Sequence, residues 1–457
     1  MLDTTDAHHP AAGVTPLSAP NDLEAFWMPF TPNRAFKAAP RMITGAKDNH
    51  YFTPDGRAIL DGTAGLWCCN AGHCRAPVVE AIQQTAASLD FAPTFQFGHP
   101  LAFELASRLA ELAPEGLDHV FFANSGSEGV DTALKIALAY HKVKGDAGRT
   151  RLIGRERGYH GTGFGGISVG GIVNNRKFFG SLLTGVDHLS HTYNRAEQAF
   201  TKGEPEWGGH LADELERIVT LHGPDTVAAV IVEPMAGSTG VLPPPTGYLK
   251  RLREITKKHG ILLIFDEVIS AFGRLGTPFA AQRYGVTPDL IVFAKGVTSG
   301  TVPMGGVIAT GEIYNTFMDA ADEGMIELFH GYTYSGHPLA SAAALATLNV
   351  YRDEGLFEQA GANEAHFADA AHSHLADLDL VEDIRSCGLV IAIDLKPIEG
   401  KPTKRAYEAM TRSFHDEDLM IRVTGDTIAL SPPLTFTESE IDQTFSGLKN
   451  VLSTMTA

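Results

Sequence analysis

Three charged side chains stand where short apolar runs end, and chemistry would be done there. VAAVIVEP (227–234) closes on Glu233, ILLIFDEV (261–268) carries Asp266, and LIVFAK (290–295) closes on Lys295. In an open parallel sheet, ligands sit beyond the carboxyl ends of the strands, so all three groups are expected at the ligand edge. A lysine amine attacks a carbonyl only when neutral, and a partly desolvated strand end favours the neutral form by lowering its pKa. Once freed, the same amine can carry a proton, which is general acid–base catalysis by a group already in place. A buried carboxylate on a neighbouring strand needs a cation to face, because leaving it unpaired is costly. Taken singly, each has a plainer reading: a strand-end Asp is usually a turn or cap residue, and a strand-end Lys is usually solvated. It is the acid and the lysine together, both after strongly apolar runs, that make Asp266 and Lys295 catalytic candidates.

A fourth element supplies the opposite charge preference. In HVFFANSGSEGVDTALKIAL (119–138) an apolar run meets Ser125-Gly126-Ser127 and then a helical pattern with Val130, Leu134, Ala137 and Leu138 on one face. Strand, Gly/Ser turn and helix N-terminus make an anion site, with free N–H groups and hydroxyls aided by the helix dipole. The plainer reading is a βα loop capped by Ser. The GK[ST] of a P-loop is missing, which argues against a nucleoside triphosphate. A competing motif, GTGFGG (161–166), satisfies GxGxxG, with Asp187 at the distance a dinucleotide fingerprint asks. The strand that should abut its first glycine does not, because RERGYH intervenes, and no clear helix follows. The run is therefore read as a Gly-rich loop that presents Tyr159 and His160, leaving a nicotinamide-dependent dehydrogenase as a remote alternative.

These residues need a scaffold. Between about 119 and 310, short apolar runs alternate with helical periodicity, which predicts a parallel α/β sheet. One βαβ unit reads almost completely. After VAAVIV, a Gly/Pro-rich loop leads to Thr246 as N-cap, and Tyr248, Leu249, Leu252 and Ile255 share one helical face. Basic residues fill the last turn, Gly260 stops the helix, and ILLIF opens the next strand. YFTPDGRAILDG (51–62) predicts a hairpin turning at Asp55-Gly56. PLASAAALATLNVYRDEGL (338–356) predicts a long helix leaving the sheet domain. The expected divisions are a mobile arm over 1–20, an N-terminal segment over 21–75, a large α/β domain over 76–338 and a small α+β domain over 339–457. The aromatic stretch NDLEAFWMPFTPNRAF (21–36) is too apolar for a free tail and is expected to pack on another surface such as a second subunit.

Composition narrows the partners. With 36 Lys+Arg against 54 Asp+Glu, the formal charge is −18, a poor match for phosphate backbones or anionic membranes. Any anionic ligand must be held by a local exception to that field. Cys68, Cys69, Cys74 and Cys387 form no CxxC pair, His73 adds no zinc spacing, and free thiols in a reducing cytosol are expected. Residues 1–20 lack the basic and apolar regions of a signal peptide, and no apolar run is long enough for a membrane span. A cytoplasmic protein is expected.

SGSE (125–128), GYHG (158–161), EP (233–234), FDEV (265–268), AKG (294–296) and YTYSGHP (332–338) occur in one order and spacing. Together they resemble the class III (omega) aminotransferases, from about Phe26 to the C-terminus. LWCCNAGH (66–73), FQFGHP (95–100), VLPPPTGYLKRLREI (241–255) and RVTGDTIALSPP (422–433) are similar to the branch that acts on β-alanine or other omega-amino acids with pyruvate. The resemblance implies aminotransferase fold type I, with a smaller domain built from both termini, and pyridoxal 5′-phosphate held by Lys295 as a Schiff base. It implies that Asp266 faces the pyridine nitrogen, Val268 and Tyr159 flank the ring, and Ser125, Gly126 and Ser127 bind the phosphate. His160 and Glu233 are implied to belong to the cofactor's surroundings. Thr333 is implied to reach that phosphate from a neighbouring subunit, in a homodimer or a dimer of dimers with shared sites. Arg422 is implied to grip the substrate carboxylate, which a planar bidentate guanidinium suits, and Trp67 to wall the substrate pocket. The implied reaction is ping-pong transfer from an amino donor to pyruvate, giving alanine. An aminomutase, or a transaminase for taurine, diamines or arylalkylamines, is the alternative within the same chemistry. One position departs from the branch: Ala429 is apolar where a polar side chain is expected after GDT (425–427).

Overall fold

The computed structural model of the chain describes residues 21–455, so the arm expected over 1–20 lies outside the described residues. Three short strands open the fold: β1 (Gly45–Lys47), β2 (His50–Phe52) and β3 (Ala58–Asp61). β2 and β3 form the hairpin expected from the sequence, with Gly56 at φ +83° in its turn. The central sheet follows with β4 (Leu117–Ala123), β5 (Arg151–Arg155), β6 (Val186–Leu189), β7 (Val227–Val232), β8 (Leu262–Asp266), β9 (Leu290–Ala294) and β10 (Gly305–Thr310). The C-terminal strands are β11 (Val381–Ser386), β12 (Ile391–Leu395), β13 (Leu419–Met420), β14 (Arg422–Thr424) and β15 (Thr427–Leu430).

The central sheet has seven strands in the order β4-β10-β9-β8-β7-β5-β6. Its strands pair in parallel from β9 to β6, while β10 runs antiparallel to both β4 and β9. Every residue of β7, β8 and β9 is buried, as parallel strands covered on both faces must be. Successive side chains alternate between the two covering layers. Val230, Val232, Leu263, Phe265, Ile291 and Phe293 enter one core. Ala229, Ile231, Leu262, Ile264, Leu290 and Val292 enter the other.

Helix Gly126–Val143 seals the second core with Val130, Ala133, Leu134, Ala137 and Tyr140. Helix Tyr248–His259 covers the first with Leu249, Leu252 and Ile255. It ends at Gly260 (φ +63°) as the sequence indicates, but its N-cap is Gly247 at φ +83°, not Thr246. Thr246 instead donates its N–H to the Pro205 carbonyl at 2.9 Å, which holds it in the loop one residue before the helix.

The helix expected from 338 runs Pro338–Asp353 and packs on helices Ala76–Ser88 and Pro100–Leu112. A second sheet, β11-β12-β15-β14, is antiparallel and lies with helices Leu356–Leu375, Lys404–Asp416 and Glu438–Ser453. β13 pairs in parallel with β3, Leu419 facing Leu60, so the two ends of the chain share one small sheet. Among the described residues no helix is long and apolar enough to cross a membrane.

Candidate active site

The register of the central sheet brings the strand-end groups level. Val232 pairs with Phe265 and Asp266 with Val292, so Glu233, Asp266 and Lys295 emerge along one edge. There they border a cavity of about 310 Å³, together with Ser125, Gly126, Ser127, Tyr159, His160 and Val268. Nine of the residues singled out from sequence therefore meet in one place.

The turn after β4 is built as an anion site requires. Ser125 caps helix Gly126–Val143, its Oγ accepting the Glu128 N–H at 3.2 Å. The first N–H groups of a helix have no partner within it, so those of this turn remain to face the cavity. A Cβ on Gly126 would lie 2.8 Å from a Val268 methyl carbon, so only glycine lets this turn approach the segment after β8 so closely. The Ser127 hydroxyl accepts the Thr162 N–H at 3.1 Å and ties the glycine-rich loop to the same turn.

That loop is not a dinucleotide fingerprint. Its glycines permit close packing: Gly161, at φ +84°, would place a Cβ 2.4 Å from Ser127 Oγ. The Gly166 N–H donates to Asp131 at 2.8 Å. A six-residue helix, Phe164–Val169, begins inside the run, where the sequence shows no clear helix. Asp187 lies in β6 and is held by Arg151 at 2.7 Å.

The loop delivers His160 to the base of the cavity. His160 Nδ1 lies 2.8 Å from Asp266 Oδ2, and an ionised carboxylate can only accept there, so Nδ1–H donates. His160 Nε2 is buried without a partner among the described residues. The second Asp266 oxygen accepts the Val268 N–H at 3.2 Å. The Glu233 carboxylate accepts the N–H groups of Tyr159 (2.9 Å) and Gly237 (3.2 Å), and burial raises its pKa. Lys295 takes φ +50° at the end of β9, and burial pushes its amine down to about 8. The charges of Asp266 and Cys68 oppose that shift, whereas Arg422 reinforces it.

Three expected residues do not border the cavity. Trp67 is buried at φ +65° in an apolar cluster with Ile269 and Ala429, and Ile269 does line the cavity. Arg422 pairs across β14–β15 with Ala429, and burial lowers its guanidinium's pKa while Tyr159 opposes the shift. Thr333 is exposed beside half-buried Tyr332, whose hydroxyl donates to the Glu128 carbonyl at 3.2 Å. Sequence reasoning missed the His160–Asp266 contact and the walls formed by Ile269, Thr298, Gly300 and Met304. The GYHG motif contained the histidine but nothing that named its partner.

Comparisons with known proteins point the same way. The sequence model of the family aminotransferase class-III matches residues 32–452. An omega-aminotransferase of Caulobacter vibrioides is 62% identical over 432 residues, covering 94% of this chain and 98% of the relative. A β-alanine–pyruvate aminotransferase of Pseudomonas aeruginosa is 48% identical, covering 96% of this chain and 97% of the relative. The crystal structure of an amine transaminase from an uncultivated Pseudomonas species, in a pyridoxal-phosphate-bound form, superposes with TM-score 0.85. It is 35% identical, with 94% of this chain and 98% of that one covered.

Proposed function

We propose, from the premise that the chain belongs to the class III aminotransferase family, that it moves an amino group from an omega-amino acid or primary amine to pyruvate, giving alanine. As a member of that family it is a pyridoxal-phosphate-dependent transaminase of fold type I. The observation that carries the reading is the convergence of Lys295, Asp266 and the Ser125–Ser127 turn on one cavity.

The cavity suits the cofactor. Its donor set pairs an anion-binding turn with a carboxylate that would face a ring cation and an amine made partly neutral by burial. Val268 and Tyr159 both line that cavity, an aliphatic and an aromatic side chain suited to the faces of a flat ring. Pyridoxal phosphate, when bound, supplies an aldehyde for the amine and a protonated ring that draws electrons from the carbon losing its proton.

Lys295 holds the cofactor and then moves the proton at the substrate carbon. Asp266, fixed by His160 and the Val268 N–H, would face the ring nitrogen. Val268 and Tyr159 close the two ring faces, and Glu233 fixes the loop bearing Tyr159 through that residue's N–H. Ser125, Gly126 and Ser127 take the phosphate, joined by Thr333 from a second copy of the chain. Exposed aromatics support that shared arrangement: Phe95, Phe97, Phe329 and Tyr334 surround the Thr333 region, and Trp27 and Phe30 mark the N-terminal segment. Arg422, on an acidic molecule, offers a substrate carboxylate a bidentate partner, and Trp67 stands behind the Ile269 wall. The free thiols suit a reducing cytoplasm.

A second reading takes an arylalkylamine as donor. Ala429 favours it, because an apolar side chain stands opposite Arg422 and beside Trp67 where a polar one is expected. One experiment tests both. The purified protein's visible spectrum is recorded with β-alanine, then with an arylalkylamine, then with pyruvate. Loss of the yellow band with β-alanine and its return with pyruvate is the expected result. A response to the arylalkylamine alone would transfer the assignment to the second reading. Absence of any band after incubation with pyridoxal phosphate would overturn both.

A further inference from the structure

Behind the cavity wall lies a pair of groups that the reaction does not use. Cys68 and Cys69 are both free thiols, with their sulfurs 3.9 Å apart. They follow a distorted stretch in which Ala64, Gly65 and Trp67 all take positive φ (45°, 64° and 65°). That path turns both side chains to the same side, although adjacent residues in an extended chain point apart. Gly300, which lines the cavity, faces both: a Cβ there would lie 3.0 Å from Cys68 Sγ and 3.2 Å from Cys69 Sγ. Gly65 closes the other side, where a Cβ would meet Cys69 Sγ at 3.3 Å and the Tyr51 hydroxyl at 3.0 Å. Cys68 is half-buried and Cys69 buried.

We propose that Cys68 and Cys69 form a vicinal-dithiol binding site for a thiophilic Lewis acid of the trivalent-arsenic class, seated against the Gly300 wall of the lysine cavity. Distances decide between this and a disulfide. Closing a disulfide requires the sulfurs to come to about 2.05 Å and prefers Cα atoms at least about 4.4 Å apart. Adjacent residues on a trans peptide hold their Cα atoms about 3.8 Å apart. A disulfide here would be strained. A single soft, pyramidal centre bonded to both sulfurs at about 2.3 Å, the length of a zinc–thiolate bond, holds them about 3.5 Å apart. From the observed 3.9 Å the sulfurs need approach by only a few tenths of an ångström, a shift within the range of side-chain rotation and far smaller than a disulfide would require. Soft thiolates select such centres over hard cations.

Charge assists the first step. Hydrogen bonding from Cys69 lowers the Cys68 thiol to about 6, with Lys295 contributing in the same direction, while the Cys69 thiol is raised by the same hydrogen bond. One sulfur is thus an anion ready to bond and the other keeps its proton. With arsenous acid, two As–O bonds break and two As–S bonds form. One hydroxide leaves as water with the Cys69 proton and the other as water with a proton taken from solvent, and no oxidation state changes. The bridged pair would press on Gly300 and fix the Lys295 turn. That inhibitory consequence rests on the function proposed above, whereas binding does not.

The test titrates the holoenzyme with arsenite and reads intact mass. One arsenic per chain is expected, reversed by dithiothreitol but not by a monothiol, with activity falling in step. Cys68→Ser and Cys69→Ser should each abolish the adduct, and Cys74→Ser and Cys387→Ser should retain it. Alkylation mapping of the wild-type chain decides the matter even if those variants fold poorly, since arsenite should protect Cys68 and Cys69 together. No adduct, an adduct that survives Cys68→Ser, or protection of other cysteines would overturn the site. A full adduct with unchanged activity would overturn the inhibition alone.

Discussion

The ionisation of Lys295 gives the sharpest test of the site. Burial takes its amine from an ordinary 10.5 to about 8. At about pH 7.5 an unperturbed lysine is neutral in roughly one molecule in a thousand, whereas a lysine at about 8 is neutral in about one in four. The capture of an aldehyde by the apo chain should therefore be about two hundredfold faster than an exposed lysine would allow. Its rate should climb with pH through a midpoint near 8 and then level off. The neighbours fix the direction of each perturbation. The Asp266 charge holds the ammonium form up, so Asp266→Asn should move the midpoint toward acid. Arg422 presses the amine down, so Arg422→Ala should move it toward base. Stopped-flow mixing of the apo chain with pyridoxal phosphate, followed by the growth of the yellow absorption between about pH 6 and 10, measures all three. A wild-type midpoint near 10.5, or an Asp266→Asn midpoint moved toward base, would refute the reasoning.

Other consequences follow from the same geometry. Arg422→Ala should raise KM for pyruvate by about tenfold to a hundredfold, the worth of a charge-assisted hydrogen bond, while KM for a neutral amine stays put; equal losses on both would remove Arg422 from carboxylate binding. Glu267 is wholly buried, accepting the N–H groups of Ala280 (2.5 Å) and Ala281 (2.9 Å), and burial raises its carboxyl to about 7. A carboxyl raised on folding stabilises most below its unfolded pKa and loses that contribution as pH climbs to the folded one. Wild type should accordingly lose about 3 kcal/mol relative to Glu267→Gln between about pH 4.5 and 7. Paired thermal melts across that window would show the gap between the two closing, and a constant gap would contradict the assignment. Phe97→Asp with Phe329→Asp, at side chains 74% and 82% exposed in the single chain, should halve the mass seen by light scattering and weaken cofactor retention. An unchanged mass would place the subunit contact elsewhere.

How much of this was legible depended on the range of the interaction. β7, β8 and β9 could be read because strands buried on both faces must be apolar throughout, and a charged residue ending each run stands out against it. Helix Tyr248–His259 could be read from its period and its terminal glycine. β10 could not: GGVIAT begins with two glycines whose value is spatial, since a Cβ on Gly305 or Gly306 would lie 2.6 Å from the backbone of Ser125 or Phe121. The helix starting at Phe164 hid within glycines that suggest a loop, because its stability comes from Asp131 on another helix. The His160–Asp266 contact joins elements 106 residues apart, and no local pattern encodes such a pairing.

The turn of Lys295 shows why a site can be located from sequence before it can be assembled. A lysine gains nothing intrinsic from φ +50°, a region that costs most residues energy and persists only when the surroundings over-determine it. Here the surroundings do so from three sides. The Tyr351 hydroxyl donates to the Gly296 carbonyl at 2.6 Å. A Cβ on Gly296 would lie 2.7 Å from the Asn70 side-chain nitrogen and 2.9 Å from Phe272 Cβ, so the chain is clamped where it leaves β9. Asn70 in turn donates to the Phe272 carbonyl at 2.9 Å and accepts from buried Arg274 at 2.8 Å. Arg274 also reaches the carbonyls of Leu389 and Pro432. The residue that marks the strand end is therefore aimed by an N-terminal asparagine, a mid-chain arginine and a helical tyrosine. Those positions do ordinary structural duty in any local reading, and only the folded chain shows that they hold the amine at the cavity.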